Sequence, residues 1–228
     1  MAAKKKKISC IVPAYNEGER VGRVLSVLST HPLIDEVIVV EDGSHDNTYE
    51  VIKRYKGIKI IHHTYNKGKS YAVFTGAKKA KNEILMFIDA DLLNLTQKDI
   101  TQLATPVLKG TADVTISLRG NAAFIWKWIG MDFITGERVF HRSLLGNLSE
   151  VGRLPGFGLE AFLNRKFIAH KSRIKVVQWN RVESPYPQSK MGFFSGCWRL
   201  VKMFSEVFRI SGVFGALVQI WKMERLRV

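Results

Sequence analysis

The sequence predicts an α/β domain in which a mostly parallel sheet is flanked by helices. Short apolar runs rich in β-branched residues recur through the first half of the chain. Stretches with apolar residues at helical spacing separate these runs, and the connections between them are short. This alternation is typical of βαβ units, whose right-handed crossovers cover both faces of the sheet with helices.

The individual elements follow from this pattern in chain order. Apolar runs predict strands at Ile8–Val12, Val37–Val40, Ile58–Ile61, Ile84–Ile88 and Val114–Leu118. Helical spacing predicts helices over Glu17–Leu28 and Thr48–Tyr55, and a third that runs from an Asn66-Lys67-Gly68 turn through Ala80. Because ligands of such sheets bind beyond the carboxyl ends of the strands, the residues that follow each strand are the candidates for function.

The composition is that of a globular protein and excludes disordered, collagen-like and coiled-coil classes. Of the 228 residues, 46% are hydrophobic and 24% are charged. Cys10 and Cys197 are far apart and lack the spacing of a metal site or a disulfide framework. The chain has no run of about 18 uncharged apolar residues, so the sequence predicts no membrane-spanning helix. We expect a cytoplasmic protein.

The net charge predicts a polyanionic partner. Lysine and arginine total 35 against 20 acidic residues, which gives a net charge of +15. Residues 165–228 hold 13 basic and 3 acidic residues. These basic residues are interleaved with Phe, Trp, Leu and Val, a pattern that suits an anionic lipid surface. A recognition motif for nucleic acid is absent from the sequence, so nucleic acid is not the expected partner.

Asp89 and Asp91 flank a single residue at the end of the fourth predicted strand. Two carboxylates held this close repel each other, and a hard divalent cation relieves that repulsion. Mg²⁺ or Mn²⁺ typically binds through one or two carboxylates together with substrate phosphates. The alternative is a solvated acidic turn that caps the next helix.

Two further segments lie where a nucleotide could bind. Asp42 ends the second predicted strand, where its carboxylate can accept hydrogen bonds from a base or a ribose, and Gly43 is expected at positive φ. The segment 66–70 opens a helix with glycine and lysine residues, which suits phosphate, although the first glycine of a P-loop is missing. The alternative for both segments is ordinary turn and capping chemistry.

Taken together, four segments resemble the family 2 glycosyltransferases of the GT-A, Rossmann-like fold. They are Ile11-Val12-Pro13-Ala14-Tyr15-Asn16-Glu17, Glu41-Asp42-Gly43-Ser44-x-Asp46-x-Thr48, Asn66-x-Gly68-Lys69-x-x-Ala72-x-x-x-Gly76 and Asp89-Ala90-Asp91-Leu92. They stand in the family's order and at its spacing, and the resemblance covers roughly residues 8–190.

The resemblance implies a donor site for a nucleotide sugar such as GDP-mannose or UDP-glucose. It implies that Asp89 and Asp91 hold Mg²⁺ or Mn²⁺ together with the diphosphate, with Asp91 also counted among the catalytic residues. The remaining implied donor-binding residues are Pro13, Tyr15, Glu17, Asp42, Ser44, Lys69 and Ala90.

The second half of the chain is similar to dolichyl-phosphate mannose synthases and related polyprenyl-phosphate glycosyltransferases. The matching segments are Thr135-Gly136-Glu137-Arg138-Val139-Phe140 and Arg181-Val182 with Gln188-Ser189-Lys190-Met191-Gly192. This resemblance implies inverting, metal-dependent transfer of a hexose to a polyprenyl or dolichyl phosphate. Such a phosphate is already ionised at pH 7, so it needs cations and no base, and arginine binds phosphate in bidentate fashion. The candidate cations are Arg119, Arg138, Arg181 and Lys190.

Two alternatives remain open at this point. The first is a transferase that acts on a hydroxyl acceptor with Glu160 as the base. Glu160 has its own alternative role, as a polar residue on the helix around Leu159–Leu163. The second is a membrane-associated protein that binds a nucleotide sugar without catalysis.

The sequence divides into a predicted catalytic domain, residues 1–190, and a tail, residues 191–228. Trp198, Val201, Phe204 and Phe208 fall on one stripe of a predicted amphipathic helix, and a second apolar segment follows from Val213 to Trp221. We expect these helices to lie on the cytoplasmic face of a membrane. Packing on the catalytic core or contact with a second copy of the chain are the alternatives.

Overall fold

The structure, a computed structural model, describes residues 7–152, 154, 158–185 and 213–228. Strands and helices alternate through the first half of the chain, as the apolar pattern predicts. The elements in order are β1 (Ile8–Ala14), α1 (Val21–Leu28), β2 (Ile34–Glu41), α2 (Thr48–Ile52), β3 (Lys59–His62), α3 (Lys69–Lys79), β4 (Ile84–Phe87), α4 (Gln97–Lys109), β5 (Val114–Arg119), α5 (Phe124–Ile129), β6 (Arg138–His141), a 3₁₀ turn (Arg142–Leu145), α6 (Leu148–Val151), α7 (Gly158–Ala169), β7 (Ile174–Trp179) and α8 (Val213–Arg225).

Within the described residues, seven strands form one sheet in the order β3-β2-β1-β4-β6-β5-β7. β1 runs parallel to β2 and β4, and β5 runs parallel to β7. Strand β6 lies between β4 and β5 and is antiparallel to both. The predicted mostly parallel α/β architecture is therefore confirmed, with one antiparallel strand that the sequence pattern did not reveal.

Helices cover both faces of the sheet and create two hydrophobic cores. On one face, α1 and α4 pack their apolar residues against alternate residues of β1, β2 and β4. On the other face, α3 and α7 pack against the remaining residues of the same strands and against β5. Because both faces are buried, the central strands consist of continuous apolar runs, which is why the sequence identified them.

Helix α1 begins at Val21, four residues later than predicted, because residues 15–18 form a loop held against the chain after β2. The backbone N–H of Asn16 donates to Ser44 Oγ (3.0 Å), and the N–H of Glu17 donates to Thr48 Oγ1 (2.7 Å). Asn16 adopts a left-handed conformation with φ of 54°, which asparagine tolerates better than most residues. This loop stands at the carboxyl end of β1.

The end of the chain packs on the domain. Met223 of α8 is buried in the core, and backbone hydrogen bonds join Ile174 at the start of β7 to Leu226 and Val228. The predicted stripe from Trp198 to Phe208 lies outside the described residues, and the division at residue 190 stays a prediction. In the part of the chain that the structure describes, each helix is too short or too polar to cross a bilayer.

Candidate functional site

The carboxyl ends of β1, β2 and β4 meet at one edge of the sheet and line a cleft there. The cleft is open and has a volume of about 270 Å³. It brings together most of the residues that the sequence predicted for the donor site. The lining residues are Pro13, Ala14, Tyr15, Glu17, Asp42, Asn66, Lys69, Ala72, Asp89, Ala90 and Asp91.

Ser44 is the predicted donor-binding residue that does not line the cleft. Its hydroxyl accepts the N–H of Asn16, and its own N–H donates to Glu41 Oε1 (2.6 Å). Gly43 has φ of 70°, as predicted, and a Cβ there would lie 2.4 Å from the backbone carbon of Tyr65. Ser44 and Gly43 therefore shape the loops around the cleft.

Asp42 is held in place by hydrogen bonds from the protein itself. Its side chain is almost fully buried, and Oδ1 accepts from His63 Nδ1 (2.6 Å) and from the N–H of Lys67 (3.1 Å). Oδ2 accepts from the N–H of Gly68 (2.8 Å), the residue before α3. The buried His63, whose Nε2 lies 3.2 Å from Thr75 Oγ1, was not identified from sequence, because a lone histidine carries no motif.

Lys69, the first residue of α3, bridges two carboxylates. Its Nζ lies 2.7 Å from Asp89 Oδ1 and 3.2 Å from Glu160 Oε1. Burial lowers the pKa of Lys69, but the attraction of Asp89 and Glu160 outweighs it, so the pKa lies above its usual value and the amine is charged at neutral pH. Glu160 is 1% exposed, so it does not form the solvated helix face that one interpretation of the sequence allowed.

Gly136 closes one side of this ion pair and was identified only as part of a motif. A Cβ at this buried position would lie 2.4 Å from Asp89 Oδ1 and 2.6 Å from Lys69 Nζ. Both distances are far below a normal contact distance. The backbone at residue 136 can therefore approach Asp89 and Lys69 this closely only because glycine has no side chain.

The two aspartates differ in their ionisation. Burial raises the pKa of Asp89, but Lys69 and Arg119 lower it further, so its pKa lies below the usual range. Burial, and then repulsion from Asp89 and Glu17, raises the pKa of Asp91 to about 7. Asp91 Oδ1 is buried and accepts no hydrogen bond within the described part of the protein.

Negative charge exceeds positive charge around the two aspartates. In the described part of the chain, the side chains that interact electrostatically around Asp89 and Asp91 include more carboxylates than cations. The carboxylates are those of Glu17, Asp89, Asp91, Asp132, Glu137 and Glu160, and the cations are Arg20, Lys69, Arg119 and Arg138. A cation bound at Asp91 would relieve the repulsion that helps to raise the pKa of this carboxyl to about 7.

The residues present fit Mg²⁺ or Mn²⁺ as a partner shared with substrate. A group of three or more histidine, cysteine or acidic residues arranged to hold a metal alone is not found among the described residues. Asp89 and Asp91 can supply one or two carboxylate ligands, the number that these ions take from proteins when phosphate oxygens complete their coordination. The buried, unpartnered Oδ1 of Asp91 is the oxygen that a cation would satisfy.

Arg119 ends β5 at the same edge of the sheet. Its guanidinium contacts Glu137 Oε1 (3.3 Å) and Asp132 Oδ2 (3.6 Å), and it donates to Ser184 Oγ. Its side chain keeps 17% exposure and its charge helps to lower the pKa of Asp89, so this predicted arginine lies near the aspartates without lining the cleft. The acidic partners Asp132 and Glu137 were not predicted as site residues.

Arg138 lies in the core beneath the site. It has no exposed surface, and it donates to the carbonyls of Thr135 (2.9 Å) and Phe133 (2.7 Å) and to Asn164 Oδ1 (2.6 Å). Burial lowers its pKa. These contacts hold the backbone that leads to Gly136, and the structure does not bring Arg138 to the cleft.

The last two predicted phosphate ligands are Arg181 and Lys190. Arg181 is exposed and lines a second, shallower cleft with Asn94, Thr96 and Glu183. Glu183 is bonded through its backbone to Leu93, two residues after Asp91, so this cleft adjoins the loop that carries the aspartates. Lys190 lies outside the described residues.

Comparisons with known proteins agree with the geometry. Residues 9–157 match the glycosyl transferase family 2 domain. A UDP-N-acetylglucosamine–dolichyl-phosphate N-acetylglucosaminyltransferase of Methanococcus voltae is 28% identical over 212 residues, which cover 75% of this chain and 83% of that protein. A dolichol-phosphate mannosyltransferase of Pyrococcus furiosus is 31% identical over 118 residues, which cover 50% of this chain. The chain spans only 33% of the Pyrococcus protein, and about half or less of several other curated relatives.

Among solved structures, glucosyl-3-phosphoglycerate synthase of Mycobacterium tuberculosis, crystallised with Mn²⁺, UDP and glucosyl-3-phosphoglycerate, superposes with a TM-score of 0.70. The superposition covers 91% of this chain and 81% of that one at 20% identity, which establishes a shared fold. With the sheet, the cleft and the family match in agreement, this chain belongs to glycosyltransferase family 2.

Proposed function

We propose that the protein transfers a hexose from a nucleotide sugar to a polyprenyl or dolichyl phosphate, with inversion and with the help of Mg²⁺ or Mn²⁺. The observation that carries this proposal is the cleft at the sheet edge, where Asp89 is paired with Lys69 and the buried Oδ1 of Asp91 has no hydrogen-bond partner among the described residues. The dolichyl-phosphate transferases among the relatives support the acceptor, and the neighbours crystallised with UDP-glucose support the donor.

The donor would lie along the cleft with its nucleoside between Pro13, Tyr15 and Asp42. Tyr15 is 40% exposed and offers an aromatic face to a base. Internal hydrogen bonds fix both carboxylate oxygens of Asp42. Because Oδ2 accepts only one of these bonds, it keeps a second lone pair that points in a defined direction. Such preorganisation favours a directional hydrogen bond to base or ribose.

Charge explains why the diphosphate would sit at the two aspartates. As the bond to the sugar breaks, negative charge develops on the leaving diphosphate and the sugar becomes oxocarbenium-like. A bound divalent cation, held by Asp89 and Asp91, supplies charge neutralisation at this point. Lys69, held in its charged form by Asp89 and Glu160, adds a second positive charge from the protein itself.

The acceptor would approach between the cleft and Arg119. A phosphate monoester with its second pKa near 6 is already a nucleophile at pH 7, so the reaction needs cations to hold it. Arg119 supplies a guanidinium there, and its pairing with Glu137 and Asp132 fixes its direction. Arg181 and Lys190 remain candidates from the sequence for holding the same group.

The test is a donor screen with purified protein, a short-chain polyprenyl phosphate and Mn²⁺ or Mg²⁺. We expect label from GDP-mannose or UDP-glucose to enter the organic phase and to disappear when EDTA is added. Asp91→Asn should abolish transfer and keep a melting temperature at or above that of the wild type, since Asp91 Oδ1 has no hydrogen bond to lose and the amide removes the repulsion from Asp89 and Glu17. Full activity of this variant, or transfer that ignores EDTA, would contradict the metal assignment.

A hydroxyl acceptor is the second candidate, because Glu160 is buried 3.2 Å from Lys69 at the site. In that case Glu160 would serve as the base, and Glu160→Gln would lose activity by two or more orders of magnitude. Under the favoured proposal, Glu160 only supports Lys69, and the same variant would lose about tenfold or less. Binding of donor without turnover on any acceptor would instead support a non-catalytic binding protein.

A further inference from the structure

Helix α5 presents large apolar side chains to solvent beside the site. Phe124 is 83% exposed and Trp128 is 77% exposed, and Ile125 between them is also exposed. Positions four apart lie on the same helix face, so Phe124 and Trp128 project from one face of α5. Paired aromatic residues at this exposure are rare on a protein that contacts only water, and they mark an interaction surface.

The orientation of α5 is fixed from its opposite side. Trp126 is 2% exposed and packs edge-to-face on Phe133, with ring centroids 4.6 Å apart. The helix ends at Gly130 with φ of 76°, and Arg227 Nη1 donates to the carbonyls of Ile129 (3.3 Å) and Gly130 (3.4 Å). Phe124 and Trp128 are therefore held outward by packing and do not represent a frayed segment.

The charged residues of α5 and of the segment just before it are all basic. Lys127 is exposed on the helix, and residues 114–131 contain no acidic residue. The neighbouring end of the chain adds three exposed cations, Lys222, Arg225 and Arg227, against one exposed acid, Glu224, and Arg225 is stacked 4.3 Å above the half-exposed Trp221. Aromatic rings flanked by lysine and arginine match the interface of an anionic bilayer, where rings enter the headgroup region and cations meet phosphates.

The position of α5 connects this surface to the site. The chain leaves the sheet edge at Arg119, forms α5, and returns to the same edge at Gly136, which touches Asp89 and Lys69. We propose that α5 docks the enzyme on an anionic lipid bilayer through Phe124, Ile125 and Trp128, so that the cleft opens at the membrane surface. This inference rests on the proposed lipid-phosphate acceptor. It assigns the contact with the membrane that holds this acceptor to α5, a helix outside the C-terminal tail.

The first experiment measures sedimentation of the full chain with vesicles that contain no acceptor, made of neutral lipid alone or mixed with anionic lipid. We expect preferential binding to anionic vesicles, reduced about tenfold or more in Phe124→Ser/Trp128→Ser. Lys127→Glu should weaken binding, whereas Lys109→Glu, the same charge change at the exposed end of α4, should not. Brominated lipid should quench tryptophan fluorescence less in Trp128→Phe than in the wild type.

Three results would overturn the proposal. One is a wild type that does not bind anionic vesicles, and another is a double variant that binds them as well as the wild type. The third is a wild-type dimer that the double variant converts to a monomer without any vesicle binding, which would assign α5 to a second copy of the chain. The double variant should keep its transfer to a water-soluble short-chain acceptor. If the wild type binds vesicles but transfers to no acceptor, the proposed function fails and the docking surface stands.

Discussion

Replacing Gly136 by alanine tests whether the close approach of the 135–137 backbone to Asp89 and Lys69 matters for catalysis. The new Cβ would lie 2.4 Å from Asp89 Oδ1 and 2.6 Å from both Asp89 Oδ2 and Lys69 Nζ. A non-bonded carbon and oxygen need about 3.4 Å, so the carboxylate or the loop must move by about 1 Å.

The magnitude follows from that displacement. A misplacement of about 1 Å in a positioned group costs roughly a hundredfold in rate. This corresponds to about 2.7 kcal/mol of lost transition-state stabilisation. We therefore expect kcat/KM of Gly136→Ala to fall roughly a hundredfold, because the carboxylate that we propose to orient the donor diphosphate would leave its position.

The assay compares transfer kinetics and melting temperature with those of a second Gly→Ala variant. Gly22 in α1 is the matched control, since its Cβ would meet Tyr55 Oη at 3.2 Å and Val51 Cγ1 at 3.3 Å, away from the cleft. Gly22→Ala should change stability slightly and leave kcat/KM unchanged. A folded Gly136→Ala variant with kcat/KM within about threefold of the wild type would refute the reasoning.

Four further outcomes are expected. His63→Leu removes one donor to Asp42 and should raise the donor KM about tenfold with kcat unchanged; an unchanged KM would show that Asp42 needs no support from His63. Burial raises the pKa of Asp132 to about 6, so the folded state binds this proton more tightly than the unfolded chain and the free energy of unfolding falls as pH rises from about 4 to 7. In urea titrations, Asp132→Asn should reduce this loss of unfolding free energy by about 3 kcal/mol. An unchanged dependence of the unfolding free energy on pH would contradict the raised pKa of Asp132. Cys10 is fully buried and its thiol pKa is raised by burial, so in a Cys197→Ser background it should resist thiol reagents until the protein unfolds; rapid labelling of the native protein would show that β1 opens. Gly76→Ala would place a Cβ 2.6 Å from Ile11 Cγ2 and should destabilise the fold by about 1–3 kcal/mol in the same titrations, whereas no loss would mean that α3 can move off the sheet.

The sequence predicted the parallel part of the sheet well because those strands are buried on both faces and must be apolar along their whole length. β6 escaped detection because it has four residues and begins with a buried arginine. β7 escaped because lysine and glutamine interrupt its apolar residues, Ile174, Val176, Val177 and Trp179. In both cases, pairing with a neighbouring strand stabilises the extended conformation more than the local sequence does.

Most residues of the cleft were predictable because they lie at or just after the ends of strands, and the carboxyl ends of parallel strands share one edge. Pro13, Asp42 and Asp89 lie far apart in sequence and line one cleft for this reason. The supporting residues His63 and Gly136 were not predictable as such. Their roles depend on single contacts, to Asp42 and to Asp89, that no spacing encodes.

Sequence alone predicted the fold class, the edge of the sheet where the cleft lies and the two aspartates that line it, because periodicity and strand ends are local properties of the chain. Only the tertiary structure decided which charges are available. Arg119 keeps 17% of its side chain exposed at the edge of the sheet that carries the cleft, whereas Arg138 donates its hydrogen bonds to Phe133, Thr135 and Asn164 inside the core. The two arginines look alike in a list of basic residues. Packing distinguishes them, because a buried charge must find its partners within the protein, and those partners come from distant parts of the chain.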